Sequence, residues 1–168
     1  MPVGLNDCTW DSASCAFIRI GSTKVPLTKF APAKDEIKTE RVRRSGEMRA
    51  RKRTPGVSEV GDIALEMLTS DYTAFILPRM PIHGGTLLEF IITASVFHPS
   101  VPGSFAMLSD GCRIVGREGP EFDMSEKALV HKLSISVVDV WEKGSDNKWK
   151  TLSTKPLPSS QALAAMQF

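Results

Sequence analysis

The chain has 168 residues, 42% hydrophobic and 24% charged, with a formal net charge of +2, a composition that fits one globular domain with a sizeable core and excludes a disordered or fibrous chain. No run approaches the ~20 apolar residues of a membrane span, because the longest, around residues 87–96, is interrupted by Glu89 and Thr93. The opening MPVGLNDCTW lacks the basic start and apolar centre of an export signal, and Cys8, Cys15 and Cys112, without C-x-x-C spacing, fit idle thiols in a reducing compartment better than disulfides or a structural zinc site.

Residues 15–20, CAFIRI, predict a short strand, and Gly21-Ser22 turns it into a second, TKVPLTKF. Pro26 cannot donate to a ladder, which confines that second strand to an edge or a bulge. Residues 38–55, KTERVRRSGEMRARKRTP, follow as a basic segment with a turn at Ser45-Gly46. Folded back at Gly46 as a two-stranded ribbon, it would project roughly 25 Å at ~3.3 Å per residue. From 57 to 68 the pattern alternates, with Ile63, Leu65 and Met67 on one face and Asp62, Ala64 and Glu66 on the other, which predicts a strand buried on one side.

Ser70-Asp71 then reads as the N-cap of a short helix over YTAFIL, which ends at Pro78. A loop through Pro81 and Gly84-Gly85 leads into TLLEFIITASVF, the strongest strand, with Leu88, Phe90, Ile92, Ala94 and Val96 on one face. SFAMLSDG and CRIVGREG predict two shorter strands, or a strand and a loop, and DMSEKAL is polar. In LVHKLSISVVDVW, Leu133, Ile135, Val137 and Trp141 share a face, and Ser145-Asp146-Asn147 makes a hairpin turn into KWKTL. The tail, residues 153–168, contains Pro156 and Pro158 and has no assignment. Many short strands and turn signals predict a mainly β fold, an antiparallel β-sandwich or barrel with one short external α-helix and a long projecting loop or hairpin.

Residues with chemical potential do not assemble into a catalytic pattern. His83, His98 and His131 are isolated in sequence, without the short spacing of a metal-ligand pair. Asp62 and Glu66 lie on the polar face of an alternating strand, where solvated charge is ordinary. Ser136 and Cys112 lack a nucleophile motif, and neither Gly84-Gly85 nor the glycines at 116 and 119 are followed by the G-K-[ST] of a phosphate loop.

The charge distribution is the strongest signal. Residues 38–55 hold eight of the 21 basic residues and two acids, so that segment carries +6 and the remainder of the chain −4. Six of the eight are arginine, the residue suited to planar, bidentate pairing with carboxylate or phosphate. Three readings follow: a solvated loop, a nucleic-acid contact, or an arm laid against the acidic body of another copy. A bare loop of this charge repels itself, and nucleic-acid binding is weakened by the absence of any aromatic residue in the segment. A contact between arm and body would be heterologous, the kind that builds rings or filaments.

The order of parts over residues 16–152 resembles the tail tube proteins of long-tailed bacteriophages. The resemblance is carried by the long arm ending in RKRTPGVSEVGDIALEM, then SDYTAFIL, LLEFIITASVF and LSISVVDVW. It implies one tail-tube-like domain over residues 1–168 and hexameric rings paired sheet edge to edge around a lumen. It also implies a long loop contacting the adjoining ring, a role that falls by position on Arg41, Arg43, Arg44, Arg49, Arg51, Lys52 and Arg53. The implied partners are other copies of the chain, a tape-measure protein, DNA passing through the lumen, and a tail sheath where the tail is contractile; no membrane, cofactor, metal or catalytic residue is implied. The implied location is the virion tail, assembled in the cytoplasm of a bacterial host. Type VI secretion tubes share this fold, and a nucleic-acid-binding module using the basic arm is the alternative function.

Overall fold

The computed structural model describes residues 16–39, 41–42, 52–53, 57–80, 89–97, 104–123, 127–152 and 158–167. In chain order its strands are β1 (Ala16–Ile20), β2 (Thr23–Lys24), β3 (Lys29–Ala31), β4 (Asp35–Lys38), β5 (Arg41–Val42), β6 (Lys52–Arg53), β7 (Val57–Val60), β8 (Ile63–Leu68), β9 (Phe90–Phe97), β10 (Ser104–Glu118), β11 (Val130–Ser136), β12 (Asp139–Lys143) and β13 (Trp149–Lys150). A helical stretch α1 starts at Thr69–Asp71 and continues as a π-helix, Tyr72–Ile76, and a 3-10 turn, Leu77–Arg79; α2 spans Ser160–Met166. Among the described residues every strand pairing is antiparallel.

The main sheet folds over on itself along its longest strand. The first half of β10 pairs β9 and β12, and its second half pairs β11. One layer therefore runs β2-β1-β9-β10-β12-β13 and the other β10-β11-β8-β3. The bend sits at Gly111, whose φ of +64° suits a residue without a Cβ. There the register of β10 against β9 shifts between Ser109 and Cys112. Across from it, β11 ends and β12 begins at Val137-Val138, and the Val138 amide donates to the Asp110 carbonyl at 3.0 Å. On the far side, Val25 and Leu27 carry the chain from β2 in one layer to β3 in the other. The Val25 amide donates to Ile18 and the Thr28 amide to Glu66, so this crossing segment is bonded to both layers.

Apolar alternation places the core between the layers. Ile63, Leu65 and Met67 of β8 are fully buried, as predicted, and meet Ile18 and Ile20 of β1, Ile92 of β9, and Leu133 and Ile135 of β11. Tyr72 and Ile76, one helical step apart on α1, join the same core. A second, smaller core lies on the outer face of the first layer, where Ala162 of α2 packs with Ile91 and Leu108, flanked by Trp141, Trp149 and Met166.

Several expectations need correcting. The two short segments after residue 103 form one 15-residue strand, bent rather than broken at Gly111. Residues 57–68 form two strands separated at Gly61-Asp62, since β7 pairs with β4 and not with the main sheet. Ser70 is not a cap: Leu68 holds the N-cap position of α1, without a side-chain bond. Trp141 does not share the face of Leu133, Ile135 and Val137, because the chain breaks at Val137-Val138 and puts Val140 inward and Trp141 outward. The unassigned tail contains α2, capped by Ser159, whose Oγ accepts from the Ala162 amide at 3.2 Å. Leu88 lies outside the described residues, as do the predicted turns at 45–46 and 84–85.

Two outcomes test this core. A Cβ on Gly111 would meet the Val138 side chain at 2.6 Å. Gly111→Ala, strained and overpacked together, is expected to cost about 2–4 kcal/mol in denaturant unfolding. Cys112 is buried, donates to the Ser109 carbonyl at 3.3 Å, and has its thiol pushed up to about 12, chiefly by burial. With Cys8 and Cys15 replaced by serine, no thiol should react with Ellman's reagent at mildly alkaline pH until the fold is opened by denaturant.

Candidate functional site

The basic segment leaves the body beside the bend. After β3 the chain passes Ala33, buried in the core, to Lys34, whose carbonyl accepts from the Gly61 amide at 2.7 Å and closes a neck. Beyond the neck, β4 pairs β7 with Asp35 opposite Val60 and Lys38 opposite Val57. Further out, β5 pairs β6 with Arg41 opposite Arg53 and Val42 opposite Lys52. Both pairs are two-stranded sheets separate from the main sheet. The described parts of the segment are thus two-stranded, and the four residues of β4 span roughly 10 Å.

At the root the ribbon is acidic and internally paired. Glu36 and Glu59 lie directly opposite one another, a like-charge pairing that disfavours the ladder. Lys38 offsets it by pairing with Glu59 and, at 3.8 Å, with Glu36, while Lys34 reaches Glu36 at 3.0 Å. The Lys34 hydrogen bond holds the Glu36 carboxyl below its usual range, and the bond to Glu59 raises Lys38 above its own. Burial pushes Asp35 up; burial also raises Asp139 of β12, with a further push from the charges of Asp35 and Asp110.

The outer part differs. Of the residues marked by the sequence, Arg41, Lys52 and Arg53 fall on β5 and β6, and Arg43, Arg44, Arg49 and Arg51 lie outside the described residues. Direct opposition of Arg41 and Arg53 is again a like-charge register, one that an anionic partner would relieve.

The other sequence candidates have structural roles. His131 stacks on Tyr72, with ring centroids 4.0 Å apart, and its Nδ1 lies 3.1 Å from Thr69 Oγ1. Burial, then the charge of Arg117, lowers its pKa, and Arg117 donates to the Tyr72 hydroxyl at 3.0 Å. His83 and His98 lie outside the described residues. Glu66 pairs with Lys29 at 3.5 Å and Asp62 is exposed in the neck, so the two do not form an acid/base couple. Among the described residues no group of histidines, cysteines and acids could hold a metal.

Asp110 is not among the residues that the sequence singles out. Its carboxyl is buried and accepts from the Gly111 amide at 2.8 Å, the Ser159 amide at 2.8 Å and the Ser159 hydroxyl at 2.6 Å. Only the adjacent Asp-Gly pair hinted at a bend there.

No protein-family model matches the sequence, and no curated protein matches it at a significant level. Solved structures do match the fold. A chain of the PVC sheath–tube complex, from an extracellular contractile injection system in its extended state, aligns with a TM-score of 0.60 and 14% identity, over 78% of this chain and 89% of that one. A chain of the anti-feeding prophage tube-terminating cap aligns at 0.59 and 13% identity, over 78% and 89%. A chain of the anti-feeding prophage baseplate aligns at 0.54 and 12% identity, over 82% and 98%. The chain has the tube-protein fold that its layout resembles.

The ion pairs at the root make the ribbon pH-sensitive. Glu36 is held below its usual 4.5, so its contribution is present above that value and is lost as pH falls through the lowered one. Hydrogen exchange should therefore show the β4–β7 amides opening in acid ahead of the β8 and β11 amides. Lys38→Met should produce that opening at neutral pH without shifting the melting of the body.

Proposed function

We propose that the chain is the tube subunit of a contractile, phage-tail-like injection apparatus. Copies close into hexameric rings around a lumen, rings stack into a tube inside a sheath, and the basic ribbon reaches the adjoining ring. The observation that carries this reading is the fold, shared over most of the chain with a protein of the PVC sheath–tube complex. Two features of this chain support it. Among the described residues the layers end in the short strands β2, β3 and β13, and short sheet edges of this kind are where pairing with another copy can occur. The ribbon's two sheets are not hydrogen-bonded to either layer, and the backbone register sets Arg41 opposite Arg53, a like-charge pairing that an anion would relieve.

In this role the chain does no chemistry of its own. Ring closure satisfies sheet edges, and stacking satisfies the ribbon, with arginines 41, 43, 44, 49, 51 and 53 and Lys52 supplying the inter-ring charge. In a phage tail the lumen would pass DNA and hold a tape-measure protein, and the product would be a virion assembled in the bacterial cytoplasm.

Negative-stain imaging of the concentrated protein tests the proposal: rings or tubes with six-fold symmetry are expected, and a protein that stays monomeric at high concentration overturns it. Reversing Arg41, Arg44 and Arg53 to glutamate should stop tube growth while circular dichroism and melting stay unchanged. If wild type instead binds duplex DNA with steep salt dependence and forms no rings, the ribbon serves nucleic acid.

A further inference from the structure

The backbone of α1 is too short to hold itself in place. The stretch changes from α to a wider π turn at Tyr72–Ile76 and tightens again at Leu77–Arg79, and a helix of this length is marginal in water without packing. Its anchors are side chains. Tyr72 and Ile76 are buried in the main core, and two further side chains fix Tyr72. The His131 ring stacks on it, with centroids 4.0 Å apart and planes within 8° of parallel, and Arg117 Nη1 donates to its hydroxyl at 3.0 Å. The strand register puts both on the inner face of the second layer: His131 lies opposite Met67 and Arg117 opposite Leu133, each a core residue.

Thr69 fixes the tautomer of the ring. Its hydroxyl has one proton and gives it to the Leu129 carbonyl at 3.0 Å, so towards His131 Nδ1, 3.1 Å away, it accepts. The neutral ring therefore carries its proton on Nδ1. A second proton would enter at Nε2 and leave the Thr69 bond intact, so what acid changes is charge. An imidazolium would gain from the Tyr72 face, but it would lose hydration and meet the Arg117 guanidinium. The balance lies with the neutral ring, since burial first and Arg117 second hold its pKa below 6.5. Other charged groups at this end are Asp71, which precedes Tyr72 on α1, Glu66 of β8, paired with Lys29, and Glu118 of β10, paired with Lys132 of β11. By alternation Glu66, Lys132 and Glu118 lie on the outer face, away from the ring.

We propose that α1 is an acid-released latch on the end of the main core. With His131 neutral, Tyr72 is held by the ring and by Arg117 together. With His131 charged, two cations meet at one tyrosine, and α1 turns out about Thr69, whose amide stays bonded to the Leu129 carbonyl. Because the pKa in the fold is lowered, the latch is complete above the ordinary 6.5 and is lost as pH falls from there through the lowered value. The Glu36 contribution is lost below 4.5, so α1 opens before the ribbon root does. The proposal does not depend on the tube reading.

Hydrogen exchange on the full chain, corrected for intrinsic rates, tests it. The Tyr72 and Leu77 amides, bonded to the Thr69 and Tyr72 carbonyls, should lose protection about threefold or more between about pH 7 and about pH 5.5, while those of β9 and β10 hold. His131→Phe keeps a ring for the stack and cannot titrate, so α1 protection should stay level over that range. Arg117→Gln keeps a donor for the Tyr72 hydroxyl without the charge, and should raise the midpoint of the His131 ring titration followed by NMR. Constant α1 protection in the wild type, or an unchanged loss in a folded His131→Phe, overturns the proposal. Should His131→Phe fail to fold, the wild-type ring titration decides: a midpoint shared with α1 opening supports the latch, and one at or above 6.5, or apart from the opening, overturns it.

Discussion

The bend at Asp110-Gly111 is the constraint on which the two-layer fold depends. A strand that serves two layers must turn between them without abandoning its neighbours, and here β10 and the β11–β12 line turn together. The Val138 amide stays bonded to Asp110 through the turn, and Gly111 takes the positive φ that a side chain would resist. The space a Cβ would need is already filled by Val138, so the glycine is required by packing as well as by backbone conformation. The Asp110 carboxyl, buried at this point, is satisfied by three donors, without which its burial would be costly. Two of those donors belong to Ser159, the cap of α2, which ties the second core to the same corner.

From this corner follows the placement of the ribbon. Ala33 at the neck and Val60 of β7 pack against the main core, and Asp35 sits close enough to Asp139 for its charge to raise the Asp139 pKa. Charge along the ribbon is sorted: acids with their lysines at the root, where the body is near, and arginines beyond. Exposed ion pairs of this kind add little stability each. Their effect is to cancel the Glu36–Glu59 repulsion and keep β4 and β7 in register.

Much of this was legible in the residues. Alternation at Ile63, Leu65 and Met67 identified the inner face of β8 because a strand buried on one side must alternate. The Asp146-Asn147 turn was legible because its chemistry is local: Asn147 holds φ at +57° and donates its amide to Gly144. The ribbon could be read from charge alone, since eight basic residues within 38–55 cannot be buried.

Features that depend on what lies across the fold were not legible. The Trp141 face was misassigned because period-two counting passes straight through Val137-Val138, where the chain changes layers in response to a bend in a different strand. α2 was missed because seven residues are too few to carry a helical period, and its stability comes from a partner face of Ile91, Leu108 and the tryptophans. By itself the sequence determined the inner faces of the strands, the local turns and the existence of one basic arm, all of which follow from the chemistry of neighbouring residues. Only tertiary structure decided that β10 spans both layers, that Asp110 holds Ser159, the cap of a distant helix, and that Trp141 faces the second core, because each depends on residues brought together from far apart in the chain.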